Sequence, residues 1–166
     1  MTARRILFID LDGVLHRVHK PDELTISTAG FEELLEERPD LFGWSHHLAD
    51  ALEGHRCDII VHSSWRAYMP DSDLRAVLPD CIRHRFAGTT RRNVAREESI
   101  LMASRALSLD DDEFLVVDDE PEQFETLRHR LVVCDPTAGV TTPGVVQAIA
   151  TWLKRPHSGT CDDHAI

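Results

Sequence analysis

The sequence is short of basic residues: 18 Lys and Arg stand against 29 Asp and Glu, for a formal net charge of -11. This deficit argues against an extended nucleic-acid track, which needs a basic face, although a local basic cluster could still hold a single phosphate. Cysteine is scarce too. Cys57, Cys81, Cys134 and Cys161 form no C-x-x-C pair and no tight Cys/His spacing, so neither a zinc site nor a disulfide framework is indicated, and reduced thiols are expected. Long apolar runs are also missing. The run that follows Arg4 and Arg5 is broken by Asp10 and Asp12, which speaks against a signal peptide or a membrane span. A cytoplasmic protein, monomeric by default, is the expectation. The chain has no internal repeat and no low-complexity segment, and its ten histidines lack paired metal-ligand spacing.

What remains is an ordinary domain's worth of material: 166 residues, 42% of them apolar, enough for one core. Residues 1–155 are read as one domain and 156–166, which lack periodicity, as a flexible tail. Short apolar runs alternate with amphipathic stretches, and this predicts an α/β three-layer sandwich around a central, mainly parallel sheet. Strands are predicted at 4–10, 57–63, 82–87, 113–119 and 131–135. Helices are predicted at 30–38 before Pro39, at 45–53 before Gly54, and at 95–107 with Ile100, Ala103, Ser104 and Leu107 on one face. Pro121 and Pro143 are read as first-turn prolines of two more helices. The Glu32, Glu33, Glu36 and Glu37 run reads as an exposed helix face.

The first strand delivers Asp10-Leu11-Asp12-Gly13, two carboxylates two residues apart, to the carboxyl edge of the sheet. A lone D-x-D also occurs in metal-binding glycosyltransferases and in ordinary turns. An EF-hand loop does not fit, because its glycine is the sixth residue and Gly13 is the fourth counted from Asp10. Phosphoryl transfer needs a nucleophile, a metal, donors around the phosphate and an acid for the leaving group. The chain offers a candidate for each. Asp10 is the nucleophile and Asp12 the acid and base; Mg²⁺ would take a carboxylate from Asp10, the carbonyl of Asp12, and an acid from Asp118 or Asp119. Asp118 ends its apolar run and is preferred as the direct ligand, with Asp119 acting through water or orienting its neighbour. Both could instead be the solvated, acidic start of a helix. Ser63 would donate to a phosphate oxygen, although it or Ser64 could simply cap the next helix. Arg96 is the first choice for the phosphate-binding cation, with Arg91 and Arg92 behind it. Trp65 reads as core or as a wall of the cleft, Arg66 as near the site or solvated, and no histidine is assigned to the site.

These segments resemble the motifs of the haloacid dehalogenase (HAD) superfamily of aspartyl-phosphate hydrolases. Ile6-Leu7-Phe8-Ile9-Asp10-Leu11-Asp12-Gly13-Val14 is similar to the first motif and Ile59-Ile60-Val61-His62-Ser63-Ser64-Trp65-Arg66 to the second. Arg96-Glu97-Glu98-Ser99-Ile100 resembles the third, with arginine for the commoner lysine, and Phe114-Leu115-Val116-Val117-Asp118-Asp119 resembles the paired-acid fourth. Cys134-Asp135-Pro136 with Gly139-Val140-Thr141 is similar to the close of a bacterial subgroup related to RNA-repair phosphatase domains. The resemblance implies a Rossmann-like core and a Mg²⁺-dependent phosphomonoesterase, with a flap at His16, Arg17, His19 and Lys20 in reach of substrate; a solvated loop is the alternative reading of these four. Only 43 residues lie between Gly13 and Cys57, too few for a large cap, so the implied site is open. Its substrate is then a phosphorylated small molecule or a macromolecular phosphate end, such as a nucleotide or nucleic-acid end. The alternatives are a silent HAD-like domain that binds a phosphorylated partner, or a phosphotransferase; dehalogenation is disfavoured by Asp12.

Overall fold

The computed structural model describes residues 4–18 and 31–156. His19, Lys20, residue 30 of the first predicted helix, Cys161 and the predicted tail from residue 157 onward lie outside them. Five strands, β1 (Arg5–Ile9), β2 (Cys57–Val61), β3 (Phe86–Thr89), β4 (Phe114–Asp118) and β5 (Leu131–Val133), form one sheet in the order β3-β2-β1-β4-β5. Every pairing within it is parallel.

The central strand shows why the fold has three layers. Alternate side chains of a strand point to opposite faces, and β1 is apolar on both. Leu7 and Ile9 join Ile59, Val61, Leu115 and Val117 in a core that also holds Leu48 and Leu52 of α2 (Ser45–Leu52) and Ile149 and Trp152 of α6 (Val145–Leu153). Ile6 and Phe8 face the other way, into a smaller core with Phe114, Val116, Phe124, Leu127 and Ile100 of α5 (Arg96–Ala106). Continuous apolar strands therefore mark burial on both faces. α1 (Phe31–Glu37) carries Glu32, Glu33, Glu36 and Glu37 exposed, as predicted. Among the described residues, the span between β1 and β2 holds α1 and α2 alone, and no large cap is inserted.

Three predicted elements are corrected. The strand expected at 82–87 is displaced to Phe86–Thr89, because Pro79 and Asp80 start α4 (Asp80–Arg83), which turns Ile82 into the core. Pro143 is not in the first turn of α6; Gly144, in the left-handed region at φ +89°, caps the helix and Val145 begins it. Pro121 opens only the 3₁₀ turn Pro121–Gln123. Leu107 also leaves the buried face of α5: it caps the helix and is exposed, while Ser99, Ile100 and Ser104 are buried. α3 (Asp71–Val77) completes the helices.

The loop after β5 is laid on the loop after β1, with the Val140 N–H donating to the Val14 carbonyl at 2.9 Å. Gly139 makes this approach possible: its φ is +54°, and a Cβ there would stand 2.2 Å from Trp44 Cε3 and 2.3 Å from the Val14 carbonyl oxygen. Gly139→Ala is therefore expected to lose about 2–4 kcal/mol. Calorimetry should register this as a Tm lower by about 5–15 °C; a fall of under 2 °C would contradict the contact.

Cys57 and Cys134 are free and buried, and burial pushes both thiols up to about 12. The thiolate is the reactive form, so both should resist iodoacetamide at pH 8 in the folded protein, whereas exposed Cys81 is modified. Peptide mass mapping with and without urea checks this; labelling of Cys57 or Cys134 without urea would contradict it.

Candidate active site

A parallel sheet exposes its functional edge where the strand order reverses, and here β1 lies between β2 and β4, whose connections leave to opposite faces. Asp10 follows β1, Ser63 lies two residues past β2, Asp118 ends β4, and Arg96 is the first residue of α5. Hydrogen bonding continues beyond the strand ends, from Asp10 N–H to Val117 O at 3.1 Å and from His62 N–H to Ile9 O at 2.9 Å. The acids are thus fixed by the sheet itself.

Asp10 is 3% exposed. Its Oδ1 accepts the Leu11 N–H at 2.7 Å and its Oδ2 lies 3.2 Å from Arg96 Nη1. Burial raises its pKa, against the pull of Arg96 and with the push of Asp118. Arg96 Nη1 also reaches both oxygens of Asp118 at 2.8 Å and Glu120 Oε2 at 2.8 Å. Burial opposes the charge of this guanidinium, but Asp10, Asp118 and Glu120 outweigh it and its pKa is raised. The structure brings Arg96 to Asp10, and neither alternative. Arg92 donates to the Met69 carbonyl at 2.7 Å and faces Asp71, and Arg91 is exposed.

The two neighbouring acids differ sharply. Asp118 is fully buried, and its oxygens receive Arg96, the Glu120 N–H at 2.8 Å and His62 Nε2 at 2.7 Å. Those donors overcome its burial and lower its pKa. Asp119 is half-buried, and burial together with the charges of Asp10 and Asp118 pushes it up to about 7. Its carboxylate rests against Gly13, where a Cβ would stand 2.3 Å from Asp119 Cγ and φ is +70°. The glycine after the D-x-D pair is what lets the two acidic loops meet.

Asp10, Asp118 and Asp119 offer ligand atoms within 4.8 Å of one another. The donor set is all carboxylate, suited to a hard cation, and the ionised form of Asp119 is disfavoured first by burial and then by the charges of Asp10 and Asp118. The residues present fit Mg²⁺. The oxygens of Asp118 already accept four donor contacts, while burial and the charges of Asp10 and Asp118 disfavour the ionised form of Asp119; both acids belong to the three-carboxylate group.

Ser63 is fully buried, and its Oγ accepts the Trp65 N–H at 3.4 Å, so it caps the 3₁₀ turn Ser64–Ala67 while lying close enough to Asp10 to lower that carboxyl's pKa. Arg66 is buried rather than solvated. Its guanidinium donates to the carbonyls of His62, Ser63, Arg91 and Val94, binding the Ser63 loop to the segment that leads into Arg96. Trp65, expected as core or wall, donates its indole N–H to Asp12 Oδ2 at 2.9 Å.

Two histidines enter the site, against the sequence-based expectation. His62 bonds Asp118, and His16 Nε2 lies 3.0 Å from Asp12 Oδ1; both rings are buried. Neither belongs to a histidine pair of ligand type, which is why metal-ligand spacing missed them. The available signals were the adjacency of His62 to Ser63 and the i,i+4 relation of His16 to Asp12. Beside Arg96 opens a cavity of about 320 Å³, lined by Ser64, Arg66, Tyr68, Asn93, Arg96 and Gln123 among others, with Tyr68 exposed.

A five-stranded parallel sheet with this order, crowned by acids after β1 and β4, defines a HAD-type domain with a phosphatase-like site. A family model described as the HAD domain in Swiss Army Knife RNA repair proteins matches residues 6–145, and the chain belongs to that family. No curated protein and no solved structure matches it. Among the described residues no helix is long and apolar enough to cross a membrane.

Proposed function

We propose that the chain is a Mg²⁺-dependent phosphomonoesterase that works through an aspartyl phosphate on Asp10. The observation that carries this reading is the arrangement around Asp10: a buried carboxylate 3.2 Å from Arg96, in a three-acid group, with Asp12 two residues on. Asp10 and Asp119, with the Asp12 carbonyl and Asp118 beside them, would hold Mg²⁺. The ion, when bound, supplies positive charge that neutralises phosphate oxygens near Asp10.

An oxygen of Asp10 attacks phosphorus as the bond from phosphorus to the leaving oxygen breaks, and protonated Asp12 gives that oxygen its proton. Water then attacks the phosphorus, Asp12 takes the water's proton, and the bond to Asp10 breaks to release phosphate. Ser63 and Arg96 bind the phosphate oxygens throughout. For the substrate we infer a phosphate end of a nucleotide or nucleic acid. The family description supports this, and so does an open cavity at Arg96 edged by an exposed aromatic ring and two amide side chains. With a net charge of -11 the chain should grip such an end rather than a long track.

The test is a phosphoester panel of an aryl phosphate, nucleotides, sugar phosphates and oligonucleotides phosphorylated at either end, run with Mg²⁺ and with chelator. Hydrolysis that needs Mg²⁺ and favours nucleotide or oligonucleotide ends is the expected result. A chain inactive across the panel contradicts the enzymatic reading, and a preference for sugar phosphates contradicts the substrate reading.

A further inference from the structure

Asp12 does not stand alone at the edge of the site. Its Oδ1 meets His16 Nε2 at 3.0 Å and its Oδ2 receives Trp65 Nε1–H at 2.9 Å. The indole can only donate. The direction of the His16 contact follows from its other nitrogen, because the Phe42 backbone N–H donates to Nδ1 at 3.3 Å. With Nδ1 accepting, the ring proton sits on Nε2 and is given to Asp12. The two carboxylate oxygens are therefore held from two separate elements, the flap after β1 and the turn after β2.

The support for this arrangement is built into the backbone. Phe42 has a φ of 57°, a left-handed conformation that a bulky side chain rarely adopts, and it is in this conformation that its N–H meets His16. The Trp44 N–H donates to the Leu15 carbonyl at 3.0 Å, tying the turn that contains Phe42 to the flap. The rings of His16, Phe42 and Trp65 close on one another, with centroids 5.0, 5.5 and 5.6 Å apart. The His16 side chain is wholly buried, while Asp12 retains 16% of its side-chain surface. Each carboxylate oxygen has two lone-pair directions, so fixing one on each leaves the other for a transferred proton.

We infer that His16 and Trp65 are positioning residues that hold the Asp12 carboxylate for proton transfer at the leaving oxygen. The inference rests on the phosphatase reading above. A general acid matters most when the leaving group is a poor one, so the effect of misplacing Asp12 should depend on the ester. Loss of a purely structural contact should slow all esters alike.

The experiment compares kcat for an alkyl phosphate, glycerol phosphate, with kcat for p-nitrophenyl phosphate, whose leaving group departs without a proton. Trp65→Phe, which keeps an aromatic ring and removes the N–H, should lower the alkyl-to-aryl ratio about tenfold. His16→Phe should do the same. His16→Gln, which can still donate to Asp12, should hold the ratio within about threefold of wild type. An unchanged ratio in Trp65→Phe and His16→Phe, or a change in KM alone, overturns the inference while leaving the phosphatase reading in place. A wild-type chain inactive on both esters and across the phosphoester panel overturns both. A second measurement stays valid if a ring variant does not fold. The indole N–H proton of Trp65 in the wild-type NMR spectrum should shift when Asp12→Asn is introduced, and a resonance that ignores Asp12 overturns the inference.

Discussion

Asp10→Asn is expected to cut turnover of every phosphoester by about three orders of magnitude or more. The variant keeps the shape of the side chain and an oxygen to accept the Leu11 N–H, but it has no anionic oxygen with which to attack phosphorus. It also removes a charge that burial disfavours, so the fold should survive. Steady-state kinetics beside a thermal melt separates the two effects: activity vanishes and Tm does not fall. A variant that retains a tenth of wild-type turnover would assign the chemistry elsewhere.

The second large effect is on stability. Arg96→Ala takes the cation from among Asp10, Asp118 and Glu120, within a site where the Arg96 side chain is only 14% exposed. Removing one partner of a buried ion pair strands the other charges, and about 3–5 kcal/mol should be lost. Urea unfolding reads this directly. Millimolar Mg²⁺ should restore part of the loss, since a ligand that binds only the folded state stabilises it, and the same acids are available to the ion. Arg96→Lys should lose less, as it returns a point charge without the guanidinium fork. A loss below 1 kcal/mol for Arg96→Ala would mean that Arg96 does not hold the acids together.

Much of this site can be read from the chain because strands with two buried faces are written in plain apolar runs. Residues 6–9 of β1, 59–61 of β2 and 114–117 of β4 are such runs, and the residues that follow them, Asp10, Ser63 and Asp118, fall at one edge once the sheet is parallel. The region of α4 and β3 was less legible for a local reason. Ile82 and Phe86 are both buried and four residues apart, a spacing that fits a helix turn, a strand, or the junction between them. Pro143 misled because a proline next to a glycine has two readings, and the left-handed cap at Gly144 decided between them.

The supporting donors were hidden for a different reason. His16, His62, Trp65 and Arg66 are residue types with several ordinary roles, and what makes them part of the site is a partner brought close by the fold, 53 positions away for Trp65 and Asp12 and 56 for His62 and Asp118. No local pattern encodes such a pairing. The different surroundings of Asp118 and Asp119 were hidden likewise, since the donors that converge on Asp118 come from His62, Arg96 and Glu120.

Passage of phosphate through Asp10 can be read chemically. The wild-type chain, turning over an accepted phosphoester with Mg²⁺, is quenched with borohydride, which reduces an acyl phosphate to the alcohol, and then digested for mass spectrometry. Homoserine is expected at position 10, dependent on substrate and absent after Asp10→Asn. Reduction at Asp12, or turnover with no reducible aspartate at all, would contradict it.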